Sequence, residues 1–211
     1  MERVLCLLMG YVFGLFKTGY LYSRSKHMDI RNYGSGNSGS TNVLRVMGKK
    51  AGLIVFLGDA GKMIAACLIT RVLFRSQPEL LYVYLLYTGF GVILGHNFPF
   101  YMEFKGGKGI AASAGLLAST DWRVMLVCLV VFVAAVAITR YVSLGSILVM
   151  ICFFIGMVFF GARGDFGIGA AHLTEFYVLA GLISAMGIWR HHTNIKRLLS
   201  GTENKLGARK E

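Results

Sequence analysis

Three short runs hold most of the side chains and glycines in this chain that could handle an anionic ligand. The first is Gly34-Ser35-Gly36-Asn37-Ser38-Gly39-Ser40-Thr41-Asn42, followed by Arg45. Its glycines let successive backbone N–H groups converge on an oxyanion, its hydroxyls add donors, and Arg45 adds a guanidinium. A helix starting near Thr41 would aim its positive end at the same point, with Arg45 about one turn further on. The second run is Gly95-His96-Asn97-Phe98-Pro99, leading into Phe104-Lys105-Gly106-Gly107-Lys108-Gly109. Here two lysines bracket two glycines, a second cradle built on the same logic. The third is Arg190-His191-His192-Thr193-Asn194-Ile195-Lys196-Arg197, then Gly201-Thr202-Glu203-Asn204-Lys205. His191 and Asn194 stand at i and i+3, so on a helix end they project the same way and can share one ligand. With an ordinary pKa near ~6.5, His191 can act as general acid or base, or simply donate to a phosphate. His96, beside Pro99, can shape its loop instead of reacting.

Other chemistries are excluded by context. Gly34 to Gly39 spells G-x-G-x-x-G, but no buried strand precedes it and Asp59, some 20 positions on, lies in an apolar stretch, so the dinucleotide reading fails. A Walker loop fails because Ser40 and Thr41 stand where Lys and Ser/Thr are needed. There is no H-E-x-x-H, no calcium loop and no G-x-S-x-G elbow, so neither a metal nor a cofactor is expected. The H-x-x-x-x-D pattern of soluble-type glycerolipid acyltransferases is missing as well. Cys6, Cys67, Cys128 and Cys152 each sit alone in apolar runs and read as small buried hydrophobes rather than disulfide partners or ligands.

The elements that must position these runs follow from composition. Of 211 residues 55% are hydrophobic and only 15% charged, yet the formal net charge is +12. Mean hydropathy is +0.61. Such a chain is neither disordered nor an ordinary soluble fold, and a nucleic-acid partner is not expected because no soluble surface is left for the basic residues to line. Stretches near the length needed to cross a hydrocarbon core occur at 3–22, 51–70, 80–98, 124–139, 142–161 and 174–190. A seventh, 109–120, is Gly/Ala/Ser-rich and short for a crossing. The segment Met1–Phe16 has the basic residue and apolar stretch of a secretory signal but no small-x-small site, so it is expected to remain as the first span. Uninterrupted apolar runs of this length are helical, giving an all-α membrane protein of one domain, 1–211. Close helix crossings are expected at small residues such as Gly10-x-x-x-Gly14.

Positive charge decides for seven spans. With the N-terminus outside, only Arg3, Arg71, Arg75, Arg123 and Arg163 fall outside and Lys62 inside a span, so 16 of the 22 basic residues are cytoplasmic, as is the C-terminus. All three polar runs then share the cytoplasmic face. Asp59 and Lys62, at i and i+3 within the second span, read as an internal ion pair or as support for a polar site at the cytoplasmic mouth. Flexible loops whose lysines merely set topology would account for either glycine loop alone, but not for three polar clusters on one face.

These three clusters resemble the motifs of the PlsY family, bacterial integral-membrane acyl-phosphate:glycerol-3-phosphate acyltransferases. The resemblance runs through Gly34 to Arg45, through Gly95 to Pro99 with Phe104 to Gly109, and through His191-x-x-Asn194-Ile195-Lys196-Arg197-Leu198-x-x-Gly201-x-Glu203, and so covers nearly the whole chain. Ser40 stands where the family usually carries Ala. The resemblance implies a multi-pass enzyme of the bacterial inner membrane, with its site facing the cytoplasm. It also implies transfer of a fatty acyl group from acyl-phosphate to the 1-hydroxyl of glycerol 3-phosphate, the first step of phospholipid synthesis, by substrate-assisted catalysis without an acylated protein group. Acyl-phosphate and glycerol 3-phosphate are then the partners, with membrane lipid around the chain. Ser35, Arg45, Lys105, Lys108, His191 and Asn194 are the expected catalytic residues. Gly36, Asn37, Ser38, Gly39, Thr41, Asn42, His96, Gly106, Gly107, Gly109, Lys196, Arg197, Gly201 and Glu203 are the expected substrate-binding ones. The rival reading, a transporter or channel for a small phosphorylated anion, would place its site near the bilayer midplane in an inverted repeat, and no repeat is present.

Overall fold

The computed structural model describes residues 1–207, and among them the chain forms ten α-helices and no strand. They are α1 (Glu2–Leu15), α2 (Thr18–Arg24), α3 (Ser40–Met47), α4 (Lys49–Leu73), α5 (Pro78–Asn97), α6 (Ile110–Thr120), α7 (Trp122–Thr139), α8 (Val142–Ala162), α9 (Leu173–Trp189) and α10 (His192–Leu199). Six stretches are long and apolar enough to cross a membrane: Glu2–Arg24, Lys49–Leu73, Pro78–Met102, Trp122–Thr139, Val142–Ala162 and Ala170–Trp189. They coincide with the six long runs expected from hydropathy. Arg209 and Lys210, two of the cations counted as cytoplasmic, lie outside the described residues.

The short seventh segment is the helix α6, which at about 1.5 Å per residue is only ~16 Å long. The chain before it folds back onto the end of α5. Gly106 N donates to Asn97 O at 3.0 Å and Gly107 N to His96 O at 3.1 Å. Gly109, in the left-handed region at φ +83°, packs beside Ile93 and Asn97. So α6 starts level with the last turn of α5 and runs along α4, close enough that a Cβ on Gly115 would collide with the Ala60 carbonyl oxygen. At its far end Arg71 donates to Ser119 O at 2.6 Å. Asp121 then caps α7, accepting from Arg123 N at 2.9 Å and Val124 N at 3.1 Å, while Arg123 also reaches Asp165 at 2.7 Å. The helix therefore carries the chain from the glycine loop to the opposite end of the molecule.

The centre of the bundle is α5, whose Leu86, Val92 and Ile93 pack with Met63, Leu116, Met150, Phe153, Phe176 and Ile183. Its contact with α1 is backbone to backbone. A side chain on Gly10 or Gly14 would strike the Thr88 or Val92 carbonyl oxygen, and one on Gly91 or Gly95 would strike that of Leu7 or Tyr11. The close crossing expected at Gly10 and Gly14 is thus reciprocal, with a matching pair on the partner helix. On α7, by contrast, Leu126, Val127, Val130 and Val133 face outward, as lipid contact allows. All four cysteines are free, and Cys6, Cys67 and Cys128 are buried.

The first span is not continuous. It breaks at Phe16 and Lys17, between α1 and α2. The last carbonyls of a helix have no amide partner, and here lysines supply the donors. Lys62 donates to Phe16 O at 2.6 Å, to Gly14 O at 3.3 Å and to Asp59 Oδ1 at 2.9 Å. Lys17, counted from sequence as a loop cation, is 1% exposed and donates to His96 O at 2.7 Å.

Candidate functional site

The first polar run is a loop that organises itself. Asn42, at the start of α3, accepts from Ser35 N at 2.8 Å through Oδ1 and donates to Tyr33 O at 3.0 Å through Nδ2. Asn37 Oδ1 accepts from Gly39 N at 2.8 Å. Gly34 and Gly36 sit at φ +62° and +71°, which lets the chain turn tightly around the Asn42 amide. Helix α3 begins at Ser40, one residue before the expected Thr41. The second loop is held from behind by Arg190, which donates to Gly107 O at 2.8 and 3.1 Å and to Gly106 O at 3.3 Å and lies over the Phe98 ring.

The third run closes the opposite wall. His191 is buried, and its Nδ1 lies 2.8 Å from Gly187 O. A carbonyl only accepts, so Nδ1 carries the hydrogen and Nε2 presents a lone pair. Asn194 Nδ2 donates to Glu203 Oε1 at 2.9 Å, and Arg197 Nε donates to Glu203 Oε2 at 2.8 Å. Lys108 reaches across from the second loop and donates to Asn194 Oδ1. Arg45 donates to Asn204 O at 3.3 Å, so the segment after α10 forms part of the rim.

One cavity gathers these groups. Of the expected residues it is lined by Ser35, Asn37, Gly39, Thr41, Asn42, Arg45, His96, Lys108, Gly109, His191, Asn194, Arg197 and Glu203. Others stand outside it. Lys105 is exposed and paired with Glu103 at 2.8 Å. Lys196 and Gly201 are exposed, and Gly106 and Gly107 form the back of their loop. Gly36 contributes only to the turn, and Ser38 is buried under the loop with its hydroxyl unpaired. Sequence reasoning missed Ile110, Ala111, Phe132, Val142, Ser143 and Ser146, which continue the lining between α6, α7 and α8. Ser143 and Ser146, at i and i+3 in an otherwise apolar span, were a readable signal; Arg190 behind the glycine loop was not.

The electrostatics favour an anion. The N-termini of α3 and α6 both open on the cavity, with Ser40, Thr41, Ile110 and Ala111 in its wall, and the first amides of a helix lack intrahelical acceptors. Burial pushes Arg45 below its ordinary value and lowers Lys108 to about 8, with Arg197 adding to the latter. In both, burial outweighs the opposing pull of the Glu203 carboxylate. Burial, with Lys108 nearby, lowers His191 to about 4, so it is neutral near neutral pH. Burial acts to raise the Glu203 carboxyl, but hydrogen bonds from Asn194 and Arg197 outweigh it and hold it below its ordinary value. Among the described residues no group of His, Cys, Asp or Glu is arranged to hold a metal ion.

The family model described as glycerol-3-phosphate acyltransferase matches residues 4–201. The glycerol-3-phosphate acyltransferase of Clostridioides difficile (strain 630) is 40% identical over 211 residues, covering 99% of this chain and 97% of that one. That of Thermoanaerobacter sp. (strain X514) is 36% identical over 213 residues, covering 100% and 99%. Crystal structures of PlsY, an integral membrane glycerol 3-phosphate acyltransferase, are similar throughout. Its glycerol 3-phosphate form has a TM-score of 0.83 at 34% identity, and its lysophosphatidic acid form 0.82 at 33%, each covering 98% of this chain and 96% of the other. With its all-helical membrane fold, the chain belongs to the glycerol-3-phosphate acyltransferase family.

Proposed function

We propose that this protein transfers a fatty acyl group from acyl-phosphate to the 1-hydroxyl of glycerol 3-phosphate, giving lysophosphatidic acid and inorganic phosphate. The observation that carries the reading is the convergence of Arg45, Lys108, Arg197 and two helix N-termini on one cavity whose wall continues through Ile110, Phe132 and Val142. A phosphate dianion fits the first part and an acyl chain the second. The hydroxyl oxygen attacks the acyl carbon, the bond from that carbon to the phosphate oxygen breaks, and the departing phosphate takes the hydroxyl proton. Acyl-phosphate is a mixed anhydride with a good leaving group, so positioning and charge neutralisation suffice. No described serine is hydrogen-bonded to a histidine, which supports direct transfer over an acylated serine.

Arg45 and Lys108, with Ser35 and Thr41, hold phosphate oxygens; His191 and Asn194 orient the acceptor. The chain acts as one domain with seven spans, α6 being the short one, in the bacterial inner membrane with the cavity towards the cytoplasm. The bias of Lys and Arg to the cavity end supports that orientation. The test is a donor panel with purified protein and glycerol 3-phosphate. Lysophosphatidic acid should form from palmitoyl-phosphate and not from palmitoyl-CoA or palmitoyl-acyl carrier protein; formation from either of the latter would reassign the donor.

A further inference from the structure

At the inner wall of the cavity, where α1, α4 and α5 meet, Asp59 and His96 line it with Lys62 behind them, a buried polar group that phosphate binding by the loops does not itself require. Lys62 Nζ stands 3.0 Å from His96 Nδ1, 2.9 Å from Asp59 Oδ1, 2.6 Å from Phe16 O and 3.3 Å from Gly14 O. An ammonium has three hydrogens and no lone pair, so the three nearest neighbours, Phe16 O, Asp59 Oδ1 and His96 Nδ1, each accept one, and the longer contact to Gly14 O shares a hydrogen. His96 Nδ1 is therefore bare. The Asp59 carboxylate lies 3.6 Å from that nitrogen, too far to claim a hydrogen on it. A neutral imidazole has one N–H, and in His96 it is on Nε2, the opposite of the assignment forced on His191 by Gly187 O.

The Nε2 edge faces the glycine loop. A Cβ on Gly107 would overlap the His96 ring at Nε2, so only glycine leaves this edge uncovered. The backbone of His96 is pinned as well, its carbonyl accepting from Lys17 Nζ at 2.7 Å and Gly107 N at 3.1 Å. The side chain is 3% exposed and lines the cavity, yet Nε2 donates to none of the described residues. Unlike the sealed Asn97 amide, this N–H reaches the cavity, where an acceptor, water or a ligand oxygen, can take its hydrogen.

We infer that Lys62, anchored by Asp59, is a positioning residue that locks His96 in its Nε2–H tautomer, and that this N–H is a fixed donor to a phosphate oxygen of a bound substrate. The inference rests on the reading of the cavity as a phosphate site. It gives the intramembrane pair Asp59–Lys62 a role in binding beyond closing the ends of α1.

The tautomer is read directly from the full-length protein in detergent micelles, labelled with 15N-histidine and without substrate, by two-bond proton–nitrogen correlation. His96→Gln identifies the resonance. A protonated Nε2 with a bare Nδ1 is expected; a protonated Nδ1, or a mixture of tautomers, would overturn the inference. The functional half is a mutant cycle with palmitoyl-phosphate and glycerol 3-phosphate. The double variant Asp59→Asn/Lys62→Met removes both charges together and so avoids an unpaired buried carboxylate. It and His96→Ala should each raise KM for one phosphate substrate by about 10- to 100-fold, with a smaller change in kcat. Combining all three substitutions should do no more than His96→Ala alone. Measuring KM for each substrate separately shows which phosphate His96 meets. Losses that multiply, or unchanged KM for both substrates, would overturn the inference. A wild-type protein without acyl transfer would instead count against the reading of the cavity, while the tautomer measurement would still stand.

Discussion

Lys108 and Asn194, 86 positions apart in the chain, are joined across the cavity by a hydrogen bond from the lysine ammonium to the amide oxygen. With its oxygen committed to Lys108 and its nitrogen donating to Glu203, the Asn194 amide has only one orientation. The bond ties the glycine loop to α10 and leaves the ammonium with hydrogens still to give to a substrate anion.

Asn194→Asp tests that geometry. A carboxylate there would face Glu203 Oε1, now 2.9 Å from the amide nitrogen, and would repel a substrate dianion. We expect kcat/KM to fall by about 100-fold or more. Retention of wild-type kcat/KM in a folded Asn194→Asp protein would show that the amide orientation is irrelevant.

The pH profile follows from two shifted groups. Lys108, lowered to about 8 by burial, is charged below that value and neutral above it. If the cation binds phosphate, kcat/KM declines as pH rises through about 8, and Lys108→Arg moves the decline upward out of range. His191, lowered to about 4, is neutral from pH ~5 upward, so no acid limb arises from it in the range usually assayed. A tenfold loss per pH unit below about 6.5, abolished by His191→Gln, would contradict that value.

Lys105 separates sequence expectation from position. It brackets the glycine loop as Lys108 does, but it is exposed and paired with Glu103 at 2.8 Å. Lys105→Ala should change kcat/KM by less than about threefold, since exposed pairs contribute little. A loss comparable to that of Lys108→Ala would mean that the loop rearranges to bring Lys105 to the substrate.

Much of this was readable because lipid crossing demands long apolar runs, and five of the six long runs found from hydropathy are single helices at nearly the same bounds, the first being broken at Phe16 and Lys17. The glycine-rich loops were readable because few other residues permit such backbone. Lys17 was not. Hydropathy treats every lysine as a cost, whereas Lys17 and Lys62 are buried against helix carbonyls that a sequence does not reveal as free. Nor did spacing separate Lys105 from Lys108; the turn through Glu103 and Phe104, both at positive φ, decides which one faces the cavity.

The crossing of α1 and α5 makes a prediction about stability. A side chain at Gly95 would strike the Tyr11 carbonyl oxygen and the Cα of Gly14, both backbone. Gly95→Val should destabilise the folded protein by about 1–3 kcal/mol or more, because neither helix can yield without losing its other contacts. Thermal unfolding in a fixed detergent measures it, and an unchanged midpoint would refute the close crossing.

Product stoichiometry in purified, lipid-reconstituted protein supplied with palmitoyl-phosphate and glycerol 3-phosphate tests the central claim most directly. Wild-type protein should release lysophosphatidic acid and inorganic phosphate in equal amounts, and folded Arg45→Ala and Lys108→Ala proteins should release neither above background. Equal turnover by those variants, or phosphate release without lysophosphatidic acid, would contradict acyl transfer in this cavity.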